Sequence, residues 1–248
     1  MGESNTATLN IKLFADGAEL GGIRDMYANP RIKGFTTNPT LMRGAGVEDY
    51  ETFARQVLEV VPDRPVSFEV FADDFHEMEK QAQEIASWGP KVNVKIPVTN
   101  TKGEFSGPLI ERLSMAGVQV NVTAVMTVDQ VRNITEVLAR DVPAIVSVFA
   151  GRIADTGVDP VPVMSEALKV MRQRPMAELL WASPRELLNI FQADSIGCHI
   201  ITATNSVLAK LSYVGKNLDA YSLETVKMFY QDAASAGYTI AVPQNAIV

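Results

Sequence analysis

VSFEVFADDFHEMEKQAQEIASWGPKVNVKI, residues 66–96, decides how the fold is read. The segment opens with the apolar run Val66–Phe71 and closes with Val92–Ile96, both of strand length and built largely from valine, isoleucine and phenylalanine. Such runs suit buried strands. Between them, Phe75–Trp88 carries Met78, Ala82, Ile85 and Ala86 at helical spacing. Strand, amphipathic helix and strand in one stretch describe a parallel β-α-β unit, because parallel neighbours need a crossover of about a dozen residues or more.

The same alternation extends in both directions. Ile11–Ala15 and Gly34–Thr36 are the first two strands, and Val118–Val122, Ala144–Phe149, Leu179–Ala182 and Ile200–Thr202 are the last four. Helical patterns separate them. Val47–Val60 carries Tyr50, Phe53, Val57 and Val60, and Thr127–Ala139 carries Val131, Ile134 and Leu138 behind Thr127 as an N-cap. Val161–Met171 follows, and Pro184–Phe191 has Ser183 as cap and Pro184 in its first turn. Eight strands alternating with helices, without a linker or a low-complexity break, predict an α/β fold: one (β/α)8 TIM barrel over residues 1–248, with residues 1–10 a flexible N-terminal segment. An open doubly wound sheet is the competing arrangement. No Gly-x-Gly-x-x-Gly follows the first strand, which disfavours its dinucleotide-binding form.

Composition narrows the function classes. The 248 residues are 47% hydrophobic and carry a formal net charge of −7. That balance disfavours nucleic acid or an anionic membrane as partner. Cys198 is the single cysteine, and the sequence has two histidines, so no intrachain disulfide forms and a His/Cys zinc site is not expected. Residues 1–10 lack the apolar centre of a signal peptide, and the apolar runs are strand-length. A soluble, cytoplasmic protein is expected. The sequence does not set the oligomeric state, and a homo-oligomer is left open.

In a barrel, chemistry collects at the C-terminal ends of the strands. Those ends carry Asp16, then Thr36, Thr37 and Asn38, then Glu69, Lys95, Asn121 and Thr123, Ser147 and Arg152, and finally Ser183 and Arg185. Lys95 stands out, flanked by Val94 and Ile96 in a strand. A charged amine there pays a desolvation cost unless paired, and a neutral one is a nucleophile toward carbonyls. It either bridges Asp16 or Glu69 structurally or forms a Schiff base. Asp16 and Glu69 either balance its charge or handle protons. A cation held by Asp16, Glu69 and Asn38 is disfavoured by the lysine among them. Arg152, Ser183 and Arg185 suggest a phosphate site, with Ser183 and Arg185 at a helix start. His76, Cys198, His199, Trp88 and Trp181 read as packing or surface residues.

These residues resemble the transaldolase family, including its fructose-6-phosphate aldolase branch. The similarity runs in order through Phe14-Ala15-Asp16, residues 34–39, Ser67-Phe68-Glu69-Val70 and Val94-Lys95-Ile96-Pro97. It continues through Asn121-Val122-Thr123-Ala124, residues 147–155, Ala182-Ser183-Pro184-Arg185, and Phe229 with Asp232. The resemblance implies a metal-free, cofactor-free barrel enzyme of carbohydrate metabolism, in the pentose phosphate pathway, acting on sugar phosphates. It implies Lys95 as the Schiff-base residue, Asp16 as proton acceptor, and Glu69 with Thr123 holding a water. Asn38, Asn121 and Ser147, with Thr36 and Phe149 beside them, would bind the dihydroxyacetone fragment; Arg152, Ser183 and Arg185 would hold phosphate. Glu69 and Phe149 match the transferase rather than the aldolase branch, which has Gln and Tyr there. The sequence departs from the family at Gly17, Thr40 and Pro184. An aldolase releasing free dihydroxyacetone and a non-catalytic sugar-phosphate-binding barrel are the other functions considered.

Overall fold

The computed structural model describes residues 9–242, so most of the segment expected to be flexible lies outside the described residues. The Asn10 and Ile11 amides, which are described, both donate to Asp194 Oδ1 at 2.8 Å. In chain order, β1 (Lys12–Asp16), α1 (Leu20–Ala28) and β2 (Ile32–Thr36) lead to α2 (Pro39–Gly44) and α3 (Tyr50–Val60). Then come β3 (Val66–Glu69), α4 (Phe75–Ser87), β4 (Val92–Pro97), α5 (Gly107–Met115), β5 (Val120–Val125) and α6 (Val128–Val137). β6 (Ala144–Val148), α7 (Ala150–Asp155), α8 (Pro160–Met171), β7 (Ala177–Trp181), α9 (Leu188–Ser195), β8 (Ile200–Thr204) and α10 (Asn205–Ala209) complete one compact unit, residues 8–211. A second unit includes the C-terminal residues from Ser212, with α11 (Leu218–Ser235) capped by Asn217, whose Oδ1 accepts from the Ala220 amide at 2.9 Å.

The eight strands are parallel and close into a barrel in chain order, β8 pairing with β1. The expected (β/α)8 barrel is the observed fold. Strand periodicity sorts the side chains. Val94, Ile96, Val122, Val146 and Leu179 face outward and pack with Val57, Met78, Ala82, Leu109, Val131 and Met164 from the helices. The alternate positions point inward. Low in the barrel, Phe14, Ile145, Leu180 and Ile200 form a separate apolar cluster. Burying each such side chain contributes about 1.5–3 kcal/mol. Gly34 lies opposite Phe14 in the β1–β2 register, and a β-carbon there would fall 2.5–2.7 Å from the Phe14 ring. A glycine at 34 is what lets the phenylalanine cross the barrel interior. Above this floor the inward positions become polar, and the site begins.

Two helix starts differ from expectation. α3 begins at Tyr50 rather than Val47, because Asp49 Oδ1 accepts from the Thr52 amide at 2.6 Å and caps it there. α9 begins at Leu188 rather than Pro184. Ser183 has φ 54°, outside the extended geometry of an N-cap. The Arg185 and Glu186 amides, which a helix start would have left free, donate to Asn189 Oδ1 at 2.8 and 3.1 Å. The phosphate argument from a helix N-terminus at Ser183 and Arg185 therefore fails. Among the described residues no helix is long and apolar enough to cross a membrane.

Candidate active site

Apart from Thr37, the strand-end residues anticipated from the sequence line one cleft of about 450 Å³ at the C-terminal end of the strands. Asp16, Thr36, Asn38, Glu69, Lys95, Asn121, Thr123, Ser147, Phe149, Arg152, Ser183 and Arg185 all border it. The barrel explains the convergence. Parallel register sets Asp16 beside Thr36, Glu69 beside Lys95 and Lys95 beside Asn121, each an inward position of its strand.

Lys95 is the centre of the arrangement. It is only 6% exposed, and its Nζ lies 2.9 Å from Glu69 Oε2 and donates to the Thr37 carbonyl at 2.8 Å. The structural pairing considered for this lysine is thus present, with Glu69 as the partner. Removing one member of such a pair would cost roughly 3–5 kcal/mol, because a buried charge is left uncompensated. Asp16 Oδ1 accepts from Thr36 Oγ1 at 2.7 Å. Burial pushes the Asp16 carboxyl above the ordinary carboxylate value, against the opposing pull of the Thr36 hydrogen bond and the Lys95 charge. Thr36 Oγ1 also lies 2.5 Å from Thr202 Oγ1. Thr202, on β8, borders the cleft and went unnoticed in the sequence, although it ends the eighth apolar run.

A second chain of hydrogen bonds crosses the cleft floor. Ser147 Oγ donates to Asn121 Oδ1 at 2.6 Å, and Asn121 Nδ2 donates to Ser67 Oγ at 3.1 Å. Beside it, the β5–β6 register shifts between Val122 and Val125, and Ala124 has φ 61°. This irregularity re-aims the end of β5, as strand bulges do. Thr123 Oγ1 and Ser183 Oγ are buried and have no hydrogen-bond partner among the described residues. Asn38 caps α2, its Oδ1 accepting from the Leu41 amide at 3.0 Å, which leaves its Nδ2 donors for another group.

The cationic side comes from Arg152 and Arg185. Arg152 sits in α7 with its guanidinium 5.3 Å from the centre of the Phe149 ring. Arg185 forms a bidentate pair with Asp155, its Nε donating at 2.9 Å and its Nη2 to the second carboxylate oxygen. That guanidinium holds the Asp155 carboxyl below the usual carboxylate range. No set of three or more His, Cys, Asp or Glu side chains among the described residues forms a metal-ligand group. Asp16 and Glu69 instead face a lysine. Cys198 lies away from this cleft; burial pushes its thiol up to about 12, and its Sγ lies 3.4 Å from the Leu179 and Ile200 carbonyls.

A family model described as transaldolase/fructose-6-phosphate aldolase matches residues 13–240. A protein named "Probable transaldolase" from Dehalococcoides mccartyi is 34% identical over 202 residues, covering 81% of this chain and 90% of that one. Another, named "Probable transaldolase 2", from Listeria monocytogenes is 31% identical over 202 residues, covering 81% and 88%. Among solved structures, a dihydrodipicolinate synthase family protein from Coccidioides immitis matches with a TM-score of 0.58 at 13% identity, covering 94% of this chain and 79% of that one. A 2,3-dimethylmalate lyase matches with a TM-score of 0.54 at 10% identity, covering 96% and 87%. At such identities the structures share the barrel and nothing finer.

Proposed function

The chain belongs to the transaldolase/fructose-6-phosphate aldolase family, and on that premise we propose that it is a transaldolase moving a dihydroxyacetone unit from a ketose phosphate to an aldose phosphate through a Schiff base on Lys95. Fructose 6-phosphate and sedoheptulose 7-phosphate are the donors. The observation that carries this is the placement of Lys95. A buried amine, bonded to Glu69 and the Thr37 carbonyl, lies in a cleft that also holds a second carboxylate and two arginines.

Paired with Glu69, the ammonium is not nucleophilic. Glu69, 2.9 Å away, takes its proton as a ketose carbonyl arrives. The amine adds to that carbonyl carbon, one proton passes from the nitrogen to the new alkoxide to make a carbinolamine, and Glu69 returns its proton as that hydroxyl leaves as water, giving the iminium. Asp16 then removes the proton from the hydroxyl next to the bond that breaks. The carbon–carbon bond electrons flow into the iminium, leaving an enamine on Lys95 and freeing an aldose phosphate. The enamine carbon attacks the acceptor aldehyde, and Asp16 returns its proton to the new alkoxide. Water, held by Glu69 and Thr123, hydrolyses the iminium and releases the product. Each positioned acid or base contributes typically 10²–10⁴-fold. An Asp16 carboxyl raised by burial suits a group that must both take and give a proton.

Asn38, Asn121 and Ser147, with Thr36 and Phe149 nearby, bind the three-carbon fragment. Arg152, Ser183 and Arg185 hold the phosphate. The pairing of Glu69 with Phe149 supports the transferase over the aldolase branch. Borohydride trapping with fructose 6-phosphate should leave a three-carbon adduct on Lys95; no adduct, or one on another lysine, overturns the assignment. Dihydroxyacetone transfer should require an aldose phosphate such as erythrose 4-phosphate. Equal donor cleavage without an acceptor would place the enzyme in the aldolase branch.

A further inference from the structure

The Tyr50 hydroxyl makes two hydrogen bonds to one residue's backbone. It donates to the Glu69 carbonyl at 3.0 Å and accepts from the Glu69 amide at 2.7 Å. The reason lies in how the barrel is strung at that point. In a parallel ladder, alternate residues of a strand address opposite neighbours. Val70 donates to the Lys95 carbonyl on the β4 side at 3.2 Å, whereas Ser67 accepts from Thr37 on the β2 side at 3.4 Å. Glu69 shares the parity of Ser67 and so faces β2. Yet β2 pairs with β3 only at Phe35–Val66 and Thr36–Ser67, and the chain then turns into α2. The Glu69 backbone would be left without a strand neighbour. A phenol from α3 takes the place of the missing strand.

Tyr50 is fixed for this task. Its ring packs against Phe71 at 4.5 Å, Trp88 at 5.8 Å and Phe68 at 6.2 Å between centroids. Burial raises the phenol well above its ordinary value, so it stays neutral and keeps both a proton to donate and lone pairs to accept. The side chain of the residue it clamps is the carboxylate 2.9 Å from Lys95.

We propose that Tyr50 is a positioning residue for the transfer reaction: its hydroxyl replaces the missing β2 neighbour, fixes the backbone of Glu69 and thereby aims the Glu69 carboxylate at Lys95. This rests on the chemistry assigned above to Lys95 and Glu69. Misplacing a reacting group by about 1 Å can cost 10²-fold, so a loosened Glu69 is felt at the chemical step.

The test is a double-mutant cycle on the full-length protein, with fructose 6-phosphate as donor and erythrose 4-phosphate as acceptor. Tyr50→Phe should lower kcat roughly tenfold with KM within about twofold, the pattern of a loss felt mainly in the transition state. Combined with Glu69→Gln, it should cost almost nothing further, because two residues acting as one unit are not additive. An unchanged kcat in Tyr50→Phe, or the same fold loss with and without Glu69, overturns the proposal. Should Tyr50→Phe fail to fold, hydrogen exchange in the wild-type protein decides: the Glu69 amide should exchange slowly, and fast exchange overturns the clamp. Borohydride trapping of the wild type separates the two layers. Without an adduct on Lys95 the transfer chemistry falls, and the role of Tyr50 with it. With the adduct present and Tyr50→Phe indistinguishable from wild type, only the role of Tyr50 falls.

Discussion

Gly151 and Ser183 touch so closely that a β-carbon on Gly151 would lie 1.6 Å from the Ser183 carbonyl oxygen and 2.6 Å from its carbonyl carbon. Both contacts are backbone, and Ser183 is already held at φ 54°. Gly151 precedes Arg152, so this contact sets the spacing between the two segments that carry the proposed phosphate ligands. Gly151→Ala must push the loop after β7 away. It should destabilise the protein by about 1–3 kcal/mol, as overpacking does. It should also raise KM for fructose 6-phosphate more than it lowers kcat. Urea unfolding and steady-state kinetics check the two effects separately.

Asp16 predicts a pH effect with a definite sign. Its carboxyl is raised by burial, so the folded state holds the proton more tightly than the unfolded state. Stability from this group is then present at low pH. It is lost as pH rises from the ordinary carboxylate range through the folded value, and stays lost above. Asp16→Asn removes the ionisation and should raise stability near neutral pH. The gain should vanish in acid, where the wild-type carboxyl is protonated. The same variant should lower transfer about 10²–10⁴-fold as its proton acceptor disappears. Thermal melts at several pH values and a rate assay decide both points.

The Arg185–Asp155 pair is half exposed, and its contribution to stability should be small. Its consequence is for binding. Asp155 occupies two guanidinium donors and fixes the fork's direction, leaving the remaining N–H groups for a phosphate. Arg185→Ala should raise KM for fructose 6-phosphate about tenfold while leaving KM for unphosphorylated fructose within about twofold. Asp155→Asn should give a smaller rise, roughly threefold, because the arginine remains but is no longer held. An equal effect on both sugars would remove Arg185 from the phosphate site.

Lys95, Asp16 and Glu69 are legible in the sequence because a period-two apolar strand leaves a charged residue no ordinary place to go. Arg152 follows from its position after the sixth strand. What stays hidden depends on backbone geometry or on long-range partners. Ser183-Pro184 has the composition of a helix start, but the left-handed φ of Ser183 delays α9 to Leu188, and Asn189 takes the amides that would have faced an anion. Tyr50 looks like one more apolar residue on a helix face. Nothing local marks its hydroxyl, since its partner is a backbone 19 residues away whose need arises only because β2 ends early. Thr202 is similar: its role beside Thr36 exists only once β8 closes on β1. His199 is exposed rather than packed into the core, though its Nδ1 accepts from the Leu179 amide at 2.9 Å.

The barrel floor offers a stability test that leaves the polar layer alone. Phe14 fills the interior from β1, and its ring occupies the space that a β-carbon on Gly34 would need, at 2.5–2.7 Å. Phe14 is 2% exposed and is surrounded by Ile145, Leu180 and Ile200, so the ring has little room to retreat. Gly34→Ala should therefore cost about 1–3 kcal/mol despite the gain expected from removing a glycine inside a strand. Phe14→Leu alone should also destabilise, through lost contacts and an imperfectly filled space. The two changes together should cost clearly less than the sum, because the smaller leucine frees the volume the new methyl group takes. Urea midpoints of the four proteins measure this directly. Additive losses would mean that Phe14 yields elsewhere in the barrel, and that Gly34 is not what allows the ring to cross it.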